Sequence, residues 1–319
     1  MSGLAKGISI GTGGAAPTSP VHRFPHDAMG SIFEILIPGE SADYARHAAT
    51  AAFEELDRLY RELNRFTAAS DVSRANTLGA GESVRVGLAT FECLAAAAKA
   101  WAETGGAFDV TIGRLFALWT PRDGAEPHPS DAALAEARRC TGMGLLELVE
   151  EDFSVGVKCD GVQIDLGGIG KGYAVDQMAA VLREWSVATA LMHGGHSSVL
   201  ALGSPPGKPG WAMRLPDPKN EAESLGNVHL QDRALSGSGI RPNYKHIIDP
   251  RTGRPAAGTD STWVLAKSGT VSDALSTAFL VMSPEEVEHY CGQHPDASGI
   301  LVRPEPGGRK VLRYGKWDT

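Results

Sequence analysis

The sequence predicts a mixed α+β fold, with helices in the N-terminal half and a strand-rich C-terminal half. Three observations predict it. Apolar residues recur every three or four positions over residues 41–66. A second, alanine-rich helical stretch follows at residues 88–103. Beyond residue 190 the apolar segments are short and separated by Gly- and Pro-containing turns, without the regular strand–helix alternation of a doubly wound sheet.

Residues 29–37 alternate and are rich in Ile and Phe, which suits a strand closed by Pro38. Ser41 is placed to cap the helix over 41–66, where Ala45, Ala49, Phe53, Leu56, Tyr60 and Leu63 share a face. The 88–103 helix stops at Gly105-Gly106. Residues 113–119 suit a short helix, 121–129 a Pro-containing loop, and Ser130 caps a helix running to about residue 140. Next comes a strand over 162–166, a glycine loop over 167–170 and a helix over 171–185. Strands are expected at 190–192, 199–202, 213–215, 228–230 and 262–266. Helices over 271–282 and 283–293 follow, the second opening Ser-Pro-Glu-Glu with proline at its first position. Residues 299–303 and 310–314 suit a closing hairpin.

With no repeat and no low-complexity linker, residues 21–319 are expected to form one catalytic domain, which two interlocked lobes could make up, behind a flexible tail at 1–20. Asp+Glu number 38 against 30 Lys+Arg, a net charge of −8, and the basic residues are scattered; this argues against nucleic acid as a partner. Cys93, Cys140, Cys159 and Cys291 lie far apart, without the spacings of zinc sites or redox pairs, and are read as reduced, partly buried thiols. No run approaches the roughly 20 apolar residues of a membrane span. Residues 1–20 carry one charge, Lys6, and lack the basic start and apolar run of a secretory signal, so a cytoplasmic protein is expected.

Three stretches can carry chemistry. In Asp165-Leu-Gly-Gly-Ile-Gly-Lys-Gly-Tyr-Ala-Val-Asp176, glycines at a strand-to-helix turn let backbone N–H groups approach an anion beside the Lys171 cation; a tight turn needing glycine for its geometry is the plainer alternative. The spacing fits neither a Walker A loop nor the dinucleotide fingerprint. In Tyr244-Lys-His-Ile-Ile-Asp-Pro-Arg-Thr-Gly-Arg254, His246 and Asp249 precede a Pro-Arg-Thr-Gly turn, and a structural histidine is the alternative. In Ser272-Asp-Ala-Leu-Ser-Thr-Ala-Phe279, Asp273 and Thr277 stand four apart on a helix, two hard oxygens on one face that suit Mg²⁺ beside phosphate; a helix-dipole acid and a back-bonded threonine are the alternative. His193-Gly-Gly-His196 lacks the helix and third ligand of zinc motifs, and no Gly-x-Ser-x-Gly elbow offers a serine nucleophile.

In this order the stretches resemble the ApbE family, the FAD:protein FMN transferases, over nearly the whole chain from Met29. Met29-Gly30-Ser31, Leu63-Asn-Arg-Phe66 with Asp71-Val-Ser-Arg-Ala-Asn76, and Gly106-Ala-Phe-Asp-Val-Thr-Ile-Gly113 carry the resemblance. So do 165–176, Gly194-Gly195, 246–255 and 272–282. It implies a T-fold-like mixed α/β fold with FAD between the lobes as substrate and Mg²⁺ at its pyrophosphate. The implied reaction transfers FMN to a Thr or Ser hydroxyl of a partner protein and releases AMP. By position, Asp273, Thr277 and the carbonyl of Gly170 match the metal ligands. Met29, Asp109, Gly168, Gly170, Lys171, His246, Ile248 and Asp249 match FAD-pocket positions, with His246 taken as the base beside Asp273 in the catalytic set. His196 stands where the family usually has Asn or Asp, and residues 236–243 lack the family's aromatic and acidic residues. A magnesium-dependent FAD pyrophosphatase, and an FAD carrier without turnover, are the competing readings.

Overall fold

The computed structural model describes residues 9–10, 20–121, 127–195, 197–216, 224–240 and 247–317. Its helices are α1 (Ala42–Leu63), α2 (Asp71–Ala75), α3 (Leu88–Glu103), α4 (Gly113–Trp119), α5 (Asp131–Arg139), α6 (Gly170–Glu184), α7 (Gly269–Val281) and α8 (Pro284–Gln293). Side-chain caps set several starts, as expected from the sequence. Ser41 accepts from Tyr44 N at α1, Ser130 from Ala133 N at α5, and Ser283 with Glu286 forms a capping box at α8.

The centre is an eight-stranded antiparallel sheet. Its edge-to-edge order is Gly308–Tyr314, Ser298–Glu305, Ser261–Ala266, Ala234–Gly239, Ser198–Leu202, Ala190–Gly194, Ser31–Pro38 and Val21–Ala28. Period-two alternation divides its side chains between two cores. Phe33, Ile35, Ile37, Met192, Leu200, Val264 and Leu301 point into one core with α1, α6 and α7. Leu36, Leu191, Val199, Leu235, Trp263 and Ile300 point into the other, under a smaller sheet of Trp211–Pro216 and Ser224–Leu230. Ser9–Ile10, within the segment expected as a tail, pairs with Arg214 and Met213 at that sheet's edge.

Two expectations need correction, and several strands lie where none was expected. The strand expected from Met29 begins at Ser31, because Met29 (φ 50°) and Gly30 (φ 68°) are the two turn residues of a hairpin with Val21–Ala28. That first strand, polar and interrupted by Pro25, has no strand signature of its own. Residues 162–166 are not a sheet strand. Val162, Ile164 and Leu166 are buried in alternation, but the backbone of Ile164 is satisfied by the Asn76 side chain, whose Oδ1 accepts at 2.6 Å and whose Nδ2 donates at 3.0 Å. Ala234–Gly239, with its Ser and Gly content, carries no strand signature yet lies in mid-sheet: a Cβ on Gly237 would stand 2.5 Å from the Trp263 ring. A three-stranded sheet of Ser83–Arg85, Ser154–Val157 and Leu146–Val149 was also unanticipated.

The small residues of Ala234–Gly239 let α7 lie close on the sheet. Ser236 Oγ meets Ser272 Oγ at 2.7 Å, and Ser238 Oγ meets Ser276 Oγ at 2.8 Å. Helices α6 and α7 approach even more closely, since a Cβ on Gly172 would stand 2.1 Å from the carbonyl oxygen of Gly269.

Candidate active site

That glycine contact sets the geometry of the site. It brings the start of α6 against the side of α7 that carries Asp273 and Thr277. Asp273 is 3% exposed. Its Oδ2 accepts from Gly172 N at 2.9 Å and its Oδ1 from Ser198 Oγ at 3.0 Å, so both oxygens keep a lone pair for a further partner. Among the described residues no Lys, Arg or His forms an ion pair with it, an unusual state for a buried carboxylate. Cys93 lies beneath, its thiol pushed up to about 12 by burial and by the nearby Asp273 charge.

Thr277 follows one turn along α7 and is partly exposed. A Cβ on Gly168 would lie 3.2 Å from Thr277 Oγ1 and 3.2 Å from the Phe108 ring, so the loop passes close between the two and a side chain there would crowd both. Helix α6 starts at Gly170 with no cap from its own N-cap residue Ile169 and no acid of its own in the first turn, and the one carboxylate on that end is Asp273, through Gly172 N. Lys171, half-buried in that turn, makes no side-chain hydrogen bond or ion pair among the described residues. Asp165 fixes the loop from the other side: its Oδ1 accepts from Gly167 N at 2.8 Å, and Arg65 pairs with its Oδ2 at 3.1 Å.

Asp176 anchors the start of α7. Its carboxylate accepts from Gly269 N (2.7 Å), Thr270 N (2.8 Å) and Thr270 Oγ1 (2.5 Å). Burial raises its pKa, and donation from Thr270 and Gly269 opposes that.

The remaining candidates sit in their own local frameworks. Asp109 is buried, with Oδ1 accepting from Thr111 N and Oγ1 and Oδ2 accepting from Met143 N at 3.1 Å. Burial raises its pKa against those donors, and its neighbour Phe108 brings the segment to Gly168. Met29 occupies its hairpin turn, partly buried against the helix-side core. Ile248 is buried with Leu115, Trp119, Leu134 and Ala137 of α4 and α5, and Trp119 Nε1 holds Gly253 O at 2.9 Å. Asp249 Oδ1 accepts from Arg251 N at 2.9 Å and Nε at 3.1 Å, closing the turn before Arg254. His246 and His196 lie outside the described residues. His193 uses both ring nitrogens, on Glu34 Oε2 at 2.6 Å and Gly195 O at 3.1 Å.

The structure thus brings Gly168, Lys171 and the α6 start to Asp273 and Thr277. Sequence reasoning missed Ser198 and Phe108, which carry no local signal. It quoted Asp176 only as the end of the glycine stretch, where an acid after a helix-opening glycine run was a legible anchor.

The sequence pattern of the ApbE family matches residues 29–301. The FAD:protein FMN transferase of Klebsiella pneumoniae (strain 342) is 24% identical over 318 residues, covering 95% of this chain and 91% of its own length. That of Vibrio cholerae serotype O1 is 31% identical over 247 residues, covering 72% and 73%. Among solved structures, the apo form of the Pseudomonas stutzeri flavinyl transferase ApbE superposes with a TM-score of 0.83 at 26% identity, over 93% of this chain and 95% of that one. The ApbE protein of Thermotoga maritima gives 0.82 at 28% identity, over 92% and 97%.

Proposed function

This chain belongs to the ApbE family, and from that premise we propose that it transfers FMN from FAD to a Thr or Ser hydroxyl of a target protein, releasing AMP. The observation that carries the reading is the buried Asp273 carboxylate, without a cationic partner among the described residues, one helical turn from a partly exposed threonine and bonded to Gly172 N in the first turn of α6.

The donor set fits magnesium. Mg²⁺ binds through one or two carboxylates together with substrate phosphate and water, and needs no cage of side chains. Among the described residues no cluster of three or more His, Cys, Asp or Glu offers such a cage. Asp273, Thr277 and the Gly170 carbonyl would hold the ion, which when bound would neutralise charge on the pyrophosphate of FAD.

The chain's own groups supply the rest. The α6 start and Lys171 bind and orient the pyrophosphate. The acceptor oxygen bonds to the phosphorus of the FMN half as the anhydride bond to AMP breaks, and AMP leaves with the bridging oxygen. The hydroxyl proton passes to a base, which we assign to His246. Met29, Asp109, Ile248 and Asp249 frame the flavin end of FAD. Neither nucleic acid nor a bilayer enters this reaction, and no described helix is long and apolar enough to cross a membrane.

The test incubates the pure protein with FAD, Mg²⁺ and a candidate acceptor protein, and measures AMP and protein-bound flavin in parallel. Equal amounts of both support transfer. AMP without bound flavin makes water the acceptor, and neither product makes the protein a carrier.

A further inference from the structure

Cys140 and Cys159 are 19 residues apart in the chain, yet their sulfurs lie 4.0 Å apart. Cys140 is the C-cap of α5, and Cys159 stands in the turn after Ser154–Val157. Both thiols point at one carbonyl: Cys140 Sγ donates to Asp160 O at 3.2 Å, and Cys159 Sγ reaches the same oxygen at 3.5 Å. Two guanidinium groups face the pair, Arg139 Nη1 at 3.3 Å from Cys159 Sγ and Arg114 Nη1 at 3.6 Å from Cys140 Sγ. The other two cysteines are buried, and among the described residues neither has a second sulfur as a partner.

We propose that Cys140 and Cys159 are a dithiol–disulfide site that exchanges with low-molecular-weight disulfides such as oxidised glutathione. Closing from 4.0 Å to the bond length of about 2.05 Å needs each sulfur to move by roughly 1 Å, within reach of side-chain torsions. The roles follow from exposure. Cys159 is partly exposed and Cys140 buried, so Cys159 meets the small disulfide and Cys140 resolves. The Cys159 thiol loses its proton, and the thiolate attacks one sulfur of the disulfide. This forms a mixed disulfide and releases one small thiolate, which is protonated. Cys140 then loses its proton and attacks Cys159 Sγ, forming the intramolecular bond and expelling the second small thiol. Two protein thiols are oxidised by two electrons, and one disulfide is reduced to two thiols.

The charges around the pair set its pace. Partial burial, then Cys140, hold the Cys159 pKa above its ordinary value, while Arg139 pulls the other way and Asp160 adds to the rise. Arg139 and Arg114 are themselves paired with Glu136, at 2.8 and 3.8 Å. Exchange therefore quickens as pH rises and more of the Cys159 thiol becomes thiolate. The bond would staple the end of α5 to the turn that leads through Asp165 into the glycine loop.

The full-length protein, incubated at mildly alkaline pH with oxidised glutathione, is alkylated, digested without reduction and analysed by mass spectrometry. The expected product is a peptide pair linked through Cys140 and Cys159, two hydrogens lighter than the free peptides and restored by reduced glutathione. Cys93 and Cys291 should be alkylated only after unfolding. In C140S, Cys159 should instead retain one glutathione. The proposal is overturned if glutathione stays on Cys159 of the wild type without a cross-link. It is equally overturned if both thiols remain free, if Cys93 or Cys291 is linked, or if C140S takes up no glutathione. The wild-type measurement stands whether or not C140S folds.

Discussion

Gly172 N donates to Asp273 Oδ2 across 2.9 Å, at the point where the backbones of α6 and α7 come nearest. One bond thus fixes both the helix pair and the carboxylate assigned to the metal. A Cβ at Gly172 would meet Gly269 O at 2.1 Å and Asp273 Cβ at 2.6 Å, and neither can yield without parting the helices. Gly172→Ala should therefore lose at least about 1–3 kcal/mol of stability. Gly292→Ala in α8, with nothing within 4 Å of the new methyl, should gain up to about 1 kcal/mol. Urea denaturation of the two variants checks the contrast, and equal effects would refute it.

Asp273→Asn keeps an acceptor oxygen but removes the charge. AMP release from FAD at limiting Mg²⁺ should fall on the order of 10²-fold or more, since a bound metal's charge stabilisation amounts to several kcal/mol. Thr277→Val, similar in shape and without the hydroxyl, should raise the Mg²⁺ concentration needed for half-maximal rate. A Thr277→Val enzyme with wild-type Mg²⁺ dependence would remove this residue from the metal site.

Lys171 is half-buried and engages no other side chain among the described residues. Lys171→Ala should weaken FAD binding more than riboflavin binding, because only FAD carries phosphate. Calorimetric titration with both ligands decides it, and equal losses would place the lysine elsewhere.

His246→Ala should slow FMN transfer by roughly 10²–10⁴, the range for a general base, with residual activity rising with pH as hydroxide replaces the imidazole. Binding of FAD should change little. Should His196→Ala lose transfer while His246→Ala keeps its rate and pH profile, His196 is the base.

Asp176 gives the pH prediction. Its folded-state pKa is raised, first by burial, so protonation stabilises the native state. The stability linked to it is full below the unfolded value of about 3.9 and declines as pH rises through the folded value. Asp176→Asn places an amide N–H where the carboxylate accepts from Gly269 and Thr270, at a cost of about 1–3 kcal/mol. Denaturant midpoints should show the wild-type advantage shrinking from acid pH upward. An advantage that grows with pH would reverse the assigned sign.

Where local chemistry decides, the sequence was legible. Helices α3 and α4 fall on the expected residues, and for α3 an alanine-rich run ending in Gly-Gly needs no tertiary information. Spacing also placed Asp273 and Thr277 on one face of α7. What was hidden depends on neighbours remote in the chain. Ala234–Gly239 is a strand because Trp263 fills the space above Gly237, and 162–166 is not one because Asn76 takes its backbone bonds. Ser198 joins the site only through a partner 75 residues away.

The Ser31–Pro38 strand has one partner beside it in the chain and another far downstream: Glu34 stands opposite His193, 159 residues later. At roughly 5–20 residues per second, a ribosome needs roughly ten to thirty seconds to add that length. Throughout that interval the nascent hairpin has one finished edge and one open edge. The finished edge, Val21–Ala28, is guarded by Arg23, Pro25 and Asp27. The open edge is Ser-Ile-Phe-Glu-Ile-Leu-Ile-Pro, with Glu34 as its single charge. The half-made chain can thus pair with another copy of itself along a strand that the finished protein keeps covered.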